Sequence, residues 1–264
     1  MATNEQEPLN VIPPARIAVL VEQVGVAKVN LPAHKMLTLA FLAGTFIAFG
    51  AVYYTVVITG SALGYGPTRL IGGLAFSLGL ILIVVGGAEL FTGNALITMA
   101  WADRKVTTRQ LMVNWGLVYA GNFLGSIVMA YVIHRSGIID GAVAETARAI
   151  ATGKVALPAE EAFLRGVLCN VLVCLAVWLC FAARTVPGKV FAIIAPISAF
   201  VALGLEHSVT NMYLIPVGML AGAEGISVWD MIVNLVPVTL GNIVGGAVLV
   251  ASVYWMVYLR KPEG

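Results

Sequence analysis

Six long apolar segments with few charged residues make up most of this 264-residue chain. They occupy residues 36–59, 70–102, 110–134, 163–183, 190–220 and 229–259, and they are separated by glycine, proline and charged residues. A helix of about 20 apolar residues is long enough to cross a bilayer. The sequence therefore predicts an all-α membrane protein with six transmembrane helices.

The composition excludes two broad classes of protein. Hydrophobic residues are 60% of the chain and charged residues only 11%, whereas about a quarter of a soluble domain is charged, so a water-soluble globular protein is excluded. The net charge of +2 is too small for a nucleic-acid binder. Little sequence lies outside the apolar segments, so no separate catalytic domain is expected. The first 14 residues lack the pattern of a cleaved signal peptide.

Basic residues are distributed unevenly between the two sides of the predicted bundle. Ten lie on the side of the termini (Arg16, Lys28, Lys35, Arg104, Lys105, Arg109, Arg184, Lys189, Arg260 and Lys261) and five on the other (Arg69, Arg135, Arg148, Lys154 and Arg165). The positive-inside rule then predicts cytoplasmic termini in a bacterial-type inner membrane. The chain is predicted to be a single transmembrane domain, made of a cytoplasmic N-terminus (1–35), a three-helix repeat (36–134), a periplasmic loop (135–162), a second three-helix repeat (163–259) and a cytoplasmic tail (260–264).

Two shorter helices are predicted outside the spans. Ile17, Leu20, Val21 and Val24 recur at helical spacing, with Glu22 on another face, which indicates an amphipathic helix along the cytoplasmic interface. Residues 142–152 form a second candidate surface helix. The three cysteines, Cys169, Cys174 and Cys180, have spacings that suit neither a zinc site nor a redox pair, so they are interpreted as packing residues.

The two halves of the chain repeat each other. Segments two and five each contain a polar cluster, at 86–94 and 204–211, in which a glutamate precedes an asparagine by five residues. Further along, an asparagine precedes Gly-Asn by seven residues in both halves, at Asn114 and Asn234, and another glycine follows. Each half contributes three crossings, an odd number, so the repeats are inverted, with the second and fifth helices broken near the midplane as in transporters and channels.

Three ionisable residues lie deep in these segments: Glu89, Glu206 and His207. Because an ionisable group in hydrocarbon costs several kcal/mol, each needs a partner or a water-filled cavity. We expect the two carboxylates to accept hydrogen bonds from backbone N–H groups freed at the breaks, the alternative being contact with a solute or proton. His207 titrates near neutrality, which favours a proton-handling role in a pore over a structural hydrogen bond.

The other polar residues at the breaks allow two interpretations each. Four asparagines, Asn94, Asn211, Asn122 and Asn242, can bind backbone at the breaks or hydrogen-bond a solute, although helix packing is favoured for the last two. Thr92 and Thr210 can donate to an anion or bond back to their own helix. The Gly-Asn pairs at 121–122 and 241–242 are typical of close helix packing through small residues, which also favours a homo-oligomer.

The sequence resembles the formate–nitrite transporter family along nearly its whole length. Three separated motifs carry the resemblance: Gly-Gly-Ala-Glu-Leu-Phe-Thr-Gly at 86–93, Gly-Val-Leu-Cys-Asn-Val-Leu-Val-Cys-Leu-Ala at 166–176, and Leu-Glu-His-Ser-Val-Thr-Asn-Met at 205–212. The resemblance implies an aquaporin-like protomer, a homopentamer, and one pore in each protomer for small monovalent anions. It implies no cofactor and no metal.

The resemblance also assigns expected roles to single residues. His207 matches the central pore histidine and Thr92 the loop threonine that hydrogen-bonds it. Phe76 and Phe200 match a periplasmic constriction, and Leu80 and Thr210 a cytoplasmic one. Asn170 matches an asparagine facing the pore centre, and Lys154 a vestibule lysine that attracts anions. Thr210 departs from the alanine of many members.

These observations predict a channel or transporter for weak-acid anions and protons. The run from Asn211 to Pro216 resembles the formate-type members of the family more than the nitrite-type members, which favours formate, with nitrite or hydrosulfide as the alternatives. Either a proton from His207 neutralises the anion or a protonated His207 holds it as it passes. A neutral-solute pore and an intramembrane enzyme are weaker hypotheses, since Ser208 adjoins His207 in the chain but no GxSxG or HExxH motif is present.

Overall fold

The computed structural model describes residues 11–260. The sequence predictions for residues 1–10 and 261–264, which include most of the signal-peptide argument and Lys261, lie outside the described residues. Within residues 11–260, the regular elements are helices: α1 (Pro14–Val29), α2 (Ala33–Ile58), α3 (Tyr65–Gly86), a 3₁₀ segment (Gly93–Ile97), α4 (Thr98–Ala102), α5 (Thr108–Arg135), α6 (Gly141–Val155), α7 (Ala159–Ala182), α8 (Val186–Ala202), α9 (Ser208–Leu220), α10 (Val228–Ile243), a π-helical segment (Val244–Ser252) and α11 (Val253–Tyr258).

Five helical stretches are long and apolar enough to cross a membrane, and they match five of the six predicted segments: Ala33–Ile58, Tyr65–Gly86, Thr108–Arg135, Ala159–Ala182 and Val228–Tyr258. The predicted fifth segment instead forms two shorter apolar helices, Val186–Ala202 and Ser208–Leu220. The second segment is also interrupted, because α3 ends at Gly86 and helical structure resumes only at Gly93. Both interruptions fall at the predicted polar clusters.

Each half of the chain packs as a group of three long helices. In the first half α2 packs against α3 and α5, and in the second half α7 packs against α8 and α10. The end of the bundle that carries α1 and α11 is called here the terminal face. The opposite end, which carries α6 packed against α9, is called the loop face. The surface helix predicted at 142–152 is part of α6.

The glycines of the Gly-Asn pairs bring helices together within one protomer. A Cβ on Gly121 or Gly125 would overlap Ala40 or the Phe41 backbone of α2, and a Cβ on Gly241 or Gly245 would overlap the α7 backbone. Close packing was predicted for these glycines. The use of that packing as an argument for a homo-oligomer is wrong, because these four positions are filled by the protomer's own helices.

α1 buries one face against the bundle, and that face includes a charged residue that the sequence places on another face of the helix. Ile17 and Val21 are buried, and Glu22 is only 2% exposed. Lys105 bonds to both Glu22 and Asp103. Burial raises the pKa of Glu22, although the hydrogen bond from Lys105 opposes this, while the hydrogen bond to Glu22 raises the pKa of Lys105. This cluster ties α1 to the turn before α5.

Candidate functional site

Two loops interrupt the apolar helices, and each begins at a glycine with positive φ. Gly87 has φ 81° and Gly204 has φ 71°, a conformation that a glycine adopts without steric cost. The first loop leads through Thr92 into the 3₁₀ segment, and the second leads through His207 into α9. His207 is the N-cap of α9, and its ring accepts a hydrogen bond from the backbone N–H of Thr210. The two breaks therefore expose backbone groups inside the bundle that need partners.

Asparagine amides bind these freed backbone groups. Asn122 Oδ1 accepts from the N–H of Phe91 at 2.9 Å, and its Nδ2 donates to the carbonyls of Ala40 and Glu89. In the second half, Asn242 Oδ1 accepts from the N–H of Ser208 at 2.9 Å. Its Nδ2 donates to the carbonyls of Gly166 and Glu206 at 2.8 and 3.0 Å. The asparagines that the sequence assigned to helix packing thus fix the positions of both loops.

The Glu89 and Glu206 carboxylates bind side chains, which corrects the expectation that they accept from backbone N–H groups. Glu89 forms a 3.0 Å salt bridge with Lys28 and accepts from Asn94 Nδ2 at 2.8 Å. The same Asn94 amide also donates to Asn114. The five-residue spacing between glutamate and asparagine serves to bring these two side chains together.

The second half repeats this arrangement with different residues. Glu206 forms a 2.9 Å salt bridge with Lys154 and accepts from Asn211 Nδ2 at 2.6 Å. Asn211 Nδ2 donates also to Asn234, whose own Nδ2 donates to the carbonyl of Lys154. Each half therefore contains one buried carboxylate, one lysine and two asparagines in a connected network.

His207 joins the two halves. Its Nε2 lies 2.8 Å from Thr92 Oγ1, and its Nδ1 lies 3.1 Å from Thr210 N and 3.0 Å from Thr210 Oγ1. His207 is 2% exposed, and the two threonines are equally enclosed, at 0% and 5%. Both hydroxyls bond to the imidazole ring, so the alternative of back-bonding to their own helices does not describe them.

Aromatic rings cover His207 on one side. Phe76 and Phe200 meet edge to face with ring centroids 5.4 Å apart. The Phe200 ring lies nearly parallel to the imidazole of His207, at 24° and 6.1 Å. Both phenylalanines are 3% exposed, so their rings form a buried apolar contact beside the histidine.

Two cavities approach the histidine from opposite faces of the bundle. The loop-face cavity has a volume of about 500 Å³ and is lined by Phe76, Phe200, Lys154, Glu206 and Thr210, among others. The terminal-face cavity, of about 280 Å³, is lined by residues that include Leu80, Glu89 and Asn94. Thr210 therefore opens to the loop-face cavity rather than sharing the opposite constriction with Leu80 as expected. The reason is that Thr210 follows His207 by three residues and lies in the first turn of α9, which leads towards the loop face.

His207, Thr92 and Asn170 line neither cavity. Asn170 donates to the carbonyls of Thr92 and Asn242 at 3.2 and 2.6 Å, and its Oδ1 is buried without a hydrogen-bond partner. Gly93, the neighbour of Thr92, lines the terminal-face cavity, whereas Thr210 lines the other. The imidazole and its partners thus separate the two cavities.

Basic side chains outnumber acidic ones in both cavities. Arg69, Lys154 and Arg165 line the loop-face cavity with Glu206, and Lys28 and Lys189 line the terminal-face cavity with Glu89. Both cavities therefore favour anions.

Sequence reasoning missed Lys28 and Arg69. Lys28 Nζ donates to Asn94 Oδ1 at 2.8 Å as well as to Glu89. No fixed spacing marks it, since Lys28 precedes Glu89 by 61 residues whereas Lys154 precedes Glu206 by 52. Arg69 bonds to the carbonyls of Val201 and Ala202 at the end of α8, a contact that no sequence pattern indicated.

Two broken helices that meet at a buried histidine, between two basic cavities in a bundle of apolar helices, define a channel or transporter built from inverted repeats. Comparison with known proteins agrees with this class of membrane protein. The chain belongs to the formate/nitrite transporter family, which it matches over residues 15–256.

Named relatives cover nearly the whole chain. The chain is 38% identical to the formate channel FocA of Escherichia coli K12, over 97% of this chain and 98% of that protein. It is 42% identical to a probable formate transporter of Methanothermobacter thermautotrophicus, over 94% and 97% of the two chains. The solved structure of a pentameric formate channel with formate bound is 41% identical, with a TM-score of 0.81 over 86% of this chain and 98% of that chain.

A second solved structure, an FNT family ion channel, is 27% identical and has a TM-score of 0.82 over 92% of this chain and 98% of that chain. The fold is therefore that of the family, and the protein is a multi-pass membrane protein. The family and its named members are channels and transporters, so the hypothesis of an intramembrane enzyme is rejected.

Proposed function

We propose that this protein is a channel for small weak-acid anions and that formate is its substrate. The support is twofold: the relatives named for formate, and two basic cavities that converge on a buried histidine. Nitrite and hydrosulfide remain weaker alternatives, and a pore for neutral solutes is weaker still, since basic cavities give no advantage to an uncharged molecule.

The apolar constriction is the main barrier to an anion in this pathway. Phe76, Phe200 and Leu80 are each 2–3% exposed, and an anion that passes them loses hydration worth many kcal/mol. The basic residues at each cavity attract the anion to the constriction but lie outside it. Passage therefore requires that the charge be neutralised or compensated at the centre.

The contact between Thr92 and His207 carries this proposal. A backbone N–H can only donate, so the 3.1 Å contact from Thr210 N makes Nδ1 of His207 an acceptor. The proton of the neutral ring then sits on Nε2, 2.8 Å from Thr92 Oγ1. The hydroxyl of Thr92 can in turn donate to an anion that reaches it. When Nδ1 binds a further proton, the charged ring can pass its Nε2 proton through the Thr92 hydroxyl to formate, which crosses as the uncharged acid while the ring returns to its neutral state. Alternatively, the charged ring holds formate as it passes.

The remaining assignments belong to the same proposal. The chain forms one transmembrane domain in a bacterial-type inner membrane, with both termini cytoplasmic, so that the terminal face is cytoplasmic and the loop face periplasmic. Five protomers assemble and each conducts through its own pore, in keeping with the similarity of this chain to a pentameric formate channel. A monomeric mass for the active protein in detergent would contradict the pentamer.

Uptake measurements with purified protein in liposomes test the function. Formate, nitrite and hydrosulfide are compared at external pH values from about 5 to 8, around the ordinary titration range of histidine, with and without a pH gradient. We expect formate uptake to be fastest and to rise with external acidity. His207→Asn should lose the pH dependence while keeping the pentamer, since an amide cannot supply a proton.

The outcomes separate the alternatives. Uptake of nitrite or hydrosulfide that is faster than uptake of formate would identify that anion, and not formate, as the substrate. Water or ammonia flux without anion flux would establish the neutral-solute pore instead. Accumulation of formate driven by a pH gradient indicates proton symport, whereas equilibration without accumulation indicates a channel. Identical pH profiles for wild type and His207→Asn would return His207 to a structural role.

A further inference from the structure

Thr210 places a second hydroxyl group against the imidazole of His207, on the side away from Thr92. Its Oγ1 lies 3.0 Å from Nδ1, whereas an alanine at this position, as in many members of the family that the sequence resembles, has no hydroxyl to offer. We propose that the Thr210 hydroxyl accepts a hydrogen bond from the protonated form of His207 and thereby sets the pH range in which the pore conducts. This inference rests on the proposed function and extends it to a positioning residue.

The neutral ring does not need this hydroxyl. Its Nδ1 already accepts from the backbone N–H of Thr210, at 3.1 Å, and its Nε2–H donates to Thr92 Oγ1. The Thr210 hydroxyl is a second donor to Nδ1, and this second hydrogen bond is dispensable because the backbone N–H already donates to the same atom.

The protonated ring does need it. When Nδ1 binds a proton it becomes a donor, and the backbone N–H that faces it offers no lone pair. Within residues 11–260, the Thr210 hydroxyl is the only side-chain group bonded to Nδ1 that can accept. A hydroxyl can rotate from donor to acceptor without any movement of the backbone. Without it, a charged N–H would be buried with no acceptor, which is one of the costlier defects in a protein interior.

The position of Thr210 also gives the proton a direction. Thr210 lines the loop-face cavity, whereas Thr92 adjoins Gly93 of the terminal-face cavity. The two ring nitrogens are therefore bonded to hydroxyls that lie towards opposite cavities. A proton that arrives at Nδ1 from the loop-face cavity can leave from Nε2 towards Thr92 without rotation of the ring.

Other ionisable groups near His207 stay constant when Thr210 is changed. They are Arg69 of α3, Lys154 of α6 and Arg165 of α7 in the loop-face cavity, Glu206 paired with Lys154, the buried thiols of Cys169 and Cys174 on α7, Tyr54 of α2, Tyr119 of α5, Tyr213 of α9 itself, and the Lys28–Glu89 pair on the terminal-face side. α10 contributes the neutral Asn234 and Asn242 to this region. A difference between variants at residue 210 is then attributable to the hydroxyl.

Three substitutions at this position distinguish the effect of the hydroxyl group from the effect of side-chain volume. Thr210→Val keeps the shape and removes the hydroxyl, Thr210→Ser keeps the hydroxyl and removes a methyl, and Thr210→Ala removes both and serves if the valine variant does not form pentamers. We expect the pH midpoint of formate uptake to move to more acidic values by about one to two pH units in the valine and alanine variants. The serine variant should keep the wild-type midpoint.

A direct titration keeps this test independent of the substrate. In protein with His34→Gln and His134→Gln, histidine labelled with ¹⁵N reports only His207, and its protonation midpoint is measured by solid-state NMR in lipid. We expect the same acidic shift for Thr210→Val and no shift for Thr210→Ser. Equal midpoints for wild type and Thr210→Val would overturn the role of the hydroxyl even if formate uptake is confirmed. Absence of formate uptake in the wild type would instead refute the proposed function, and the NMR titration would still decide the role of Thr210.

Discussion

Lys154 and Glu206 form a 2.9 Å salt bridge at the inner end of the loop-face cavity, with side chains that are 14% and 5% exposed. The resemblance predicts that Lys154 attracts anions, but its ammonium group is already bound to a carboxylate. An arriving anion therefore meets a paired cation. Arg165 is paired as well, with Glu161 at 2.9 Å, so Arg69 contributes most of the excess positive charge of the cavity.

The first prediction concerns that ion pair. Lys154→Met leaves the Glu206 carboxylate buried without a counter-charge, and breaking a buried pair on one side costs about 3–5 kcal/mol. We expect a lower yield of pentamer and a lower thermal midpoint in detergent, measured by size-exclusion chromatography after heating. The double variant Lys154→Met/Glu206→Gln is the control and should recover most of the loss. A single variant as stable as wild type would show that the pair contributes nothing to folding.

Asn242→Leu should disturb the second loop. The substitution keeps a similar volume but leaves the N–H of Ser208 and the carbonyls of Gly166 and Glu206 without their side-chain partner, at about 1–3 kcal/mol for each buried group. We expect little folded protein, which expression yield in membranes will measure. Leu240→Ala, at a position 53% exposed on the same helix, is the matched control and should express normally. Normal yield of Asn242→Leu would mean that water replaces the amide.

The close approach of α7 and the π-helical segment predicts a steric effect. A Cβ on Gly245 would overlap the carbonyl of Val167, whereas a Cβ on Gly116 meets no atom within 4 Å. Gly245→Ala should lose about 1–3 kcal/mol of stability, and Gly116→Ala should lose none. Thermal midpoints of the two variants in the same detergent check this, and equal midpoints would contradict it.

Thr92→Val should affect transport more than folding. The substitution removes the acceptor of the His207 Nε2–H and the hydroxyl proposed to meet the anion, while its volume is retained. We expect formate uptake to fall by about tenfold or more, in line with the loss of one hydrogen bond at about 1.4 kcal/mol or above. Thr92→Ser should keep most of the activity. If both variants transport at the wild-type rate, Thr92 does not take part in passage.

The buried Glu22 predicts how the docking of α1 depends on pH. Burial raises its folded-state pKa above the ordinary value of 4.5, so the folded state binds the proton more tightly than the undocked helix does. The docking free energy contributed by Glu22 is therefore greatest below 4.5 and decreases as the pH rises through the folded-state pKa. Lys105 lowers the pKa of Glu22, but its side chain is half exposed, so solvent screens its charge and weakens this opposing effect.

Hydrogen exchange of the Pro14–Val29 amides, corrected for the intrinsic pH dependence of exchange, measures this docking. We expect protection in wild type to decrease as the pH is raised above the ordinary glutamate pKa of 4.5, and Glu22→Gln to reduce that decrease, because a neutral amide has no proton to lose. The same pH dependence in both proteins would exclude Glu22 as its origin.

The long helices were predictable because a bilayer requires about 20 apolar residues for a crossing, and the pattern of polar residues in segments two and five located both breaks. The partners of Glu89 and Glu206 were not predictable in the same way. Lys28 lies in the interfacial helix and Lys154 in a loop helix, and only the fold brings them to the carboxylates. Backbone binding by Asn122 and Asn242 was considered but ranked below helix packing, because a Gly-Asn pair in a helix also satisfies ordinary packing.

The position of Thr210 shows a further limit of the sequence. Matching residues to a family motif assigned it to the constriction of Leu80, but the N-cap geometry of His207 turns the first residues of α9 towards the loop face. Whether a side chain three residues from a histidine can reach the ring depends on where the helix begins. That boundary depends on the loop held by Asn242.

The two lysine–glutamate pairs have a consequence for how the protein is made. Lys28 and Glu89 both belong to the first half, and Lys154 and Glu206 both belong to the second. A polypeptide synthesised from its N-terminus enters the membrane before its C-terminal half exists. Lys28 of α1 can therefore neutralise Glu89 as soon as α1 meets the first three-helix group, before the second half of the chain has been synthesised. The charge of each buried glutamate is thus neutralised before the halves join, and no lysine–glutamate pair has to form between them.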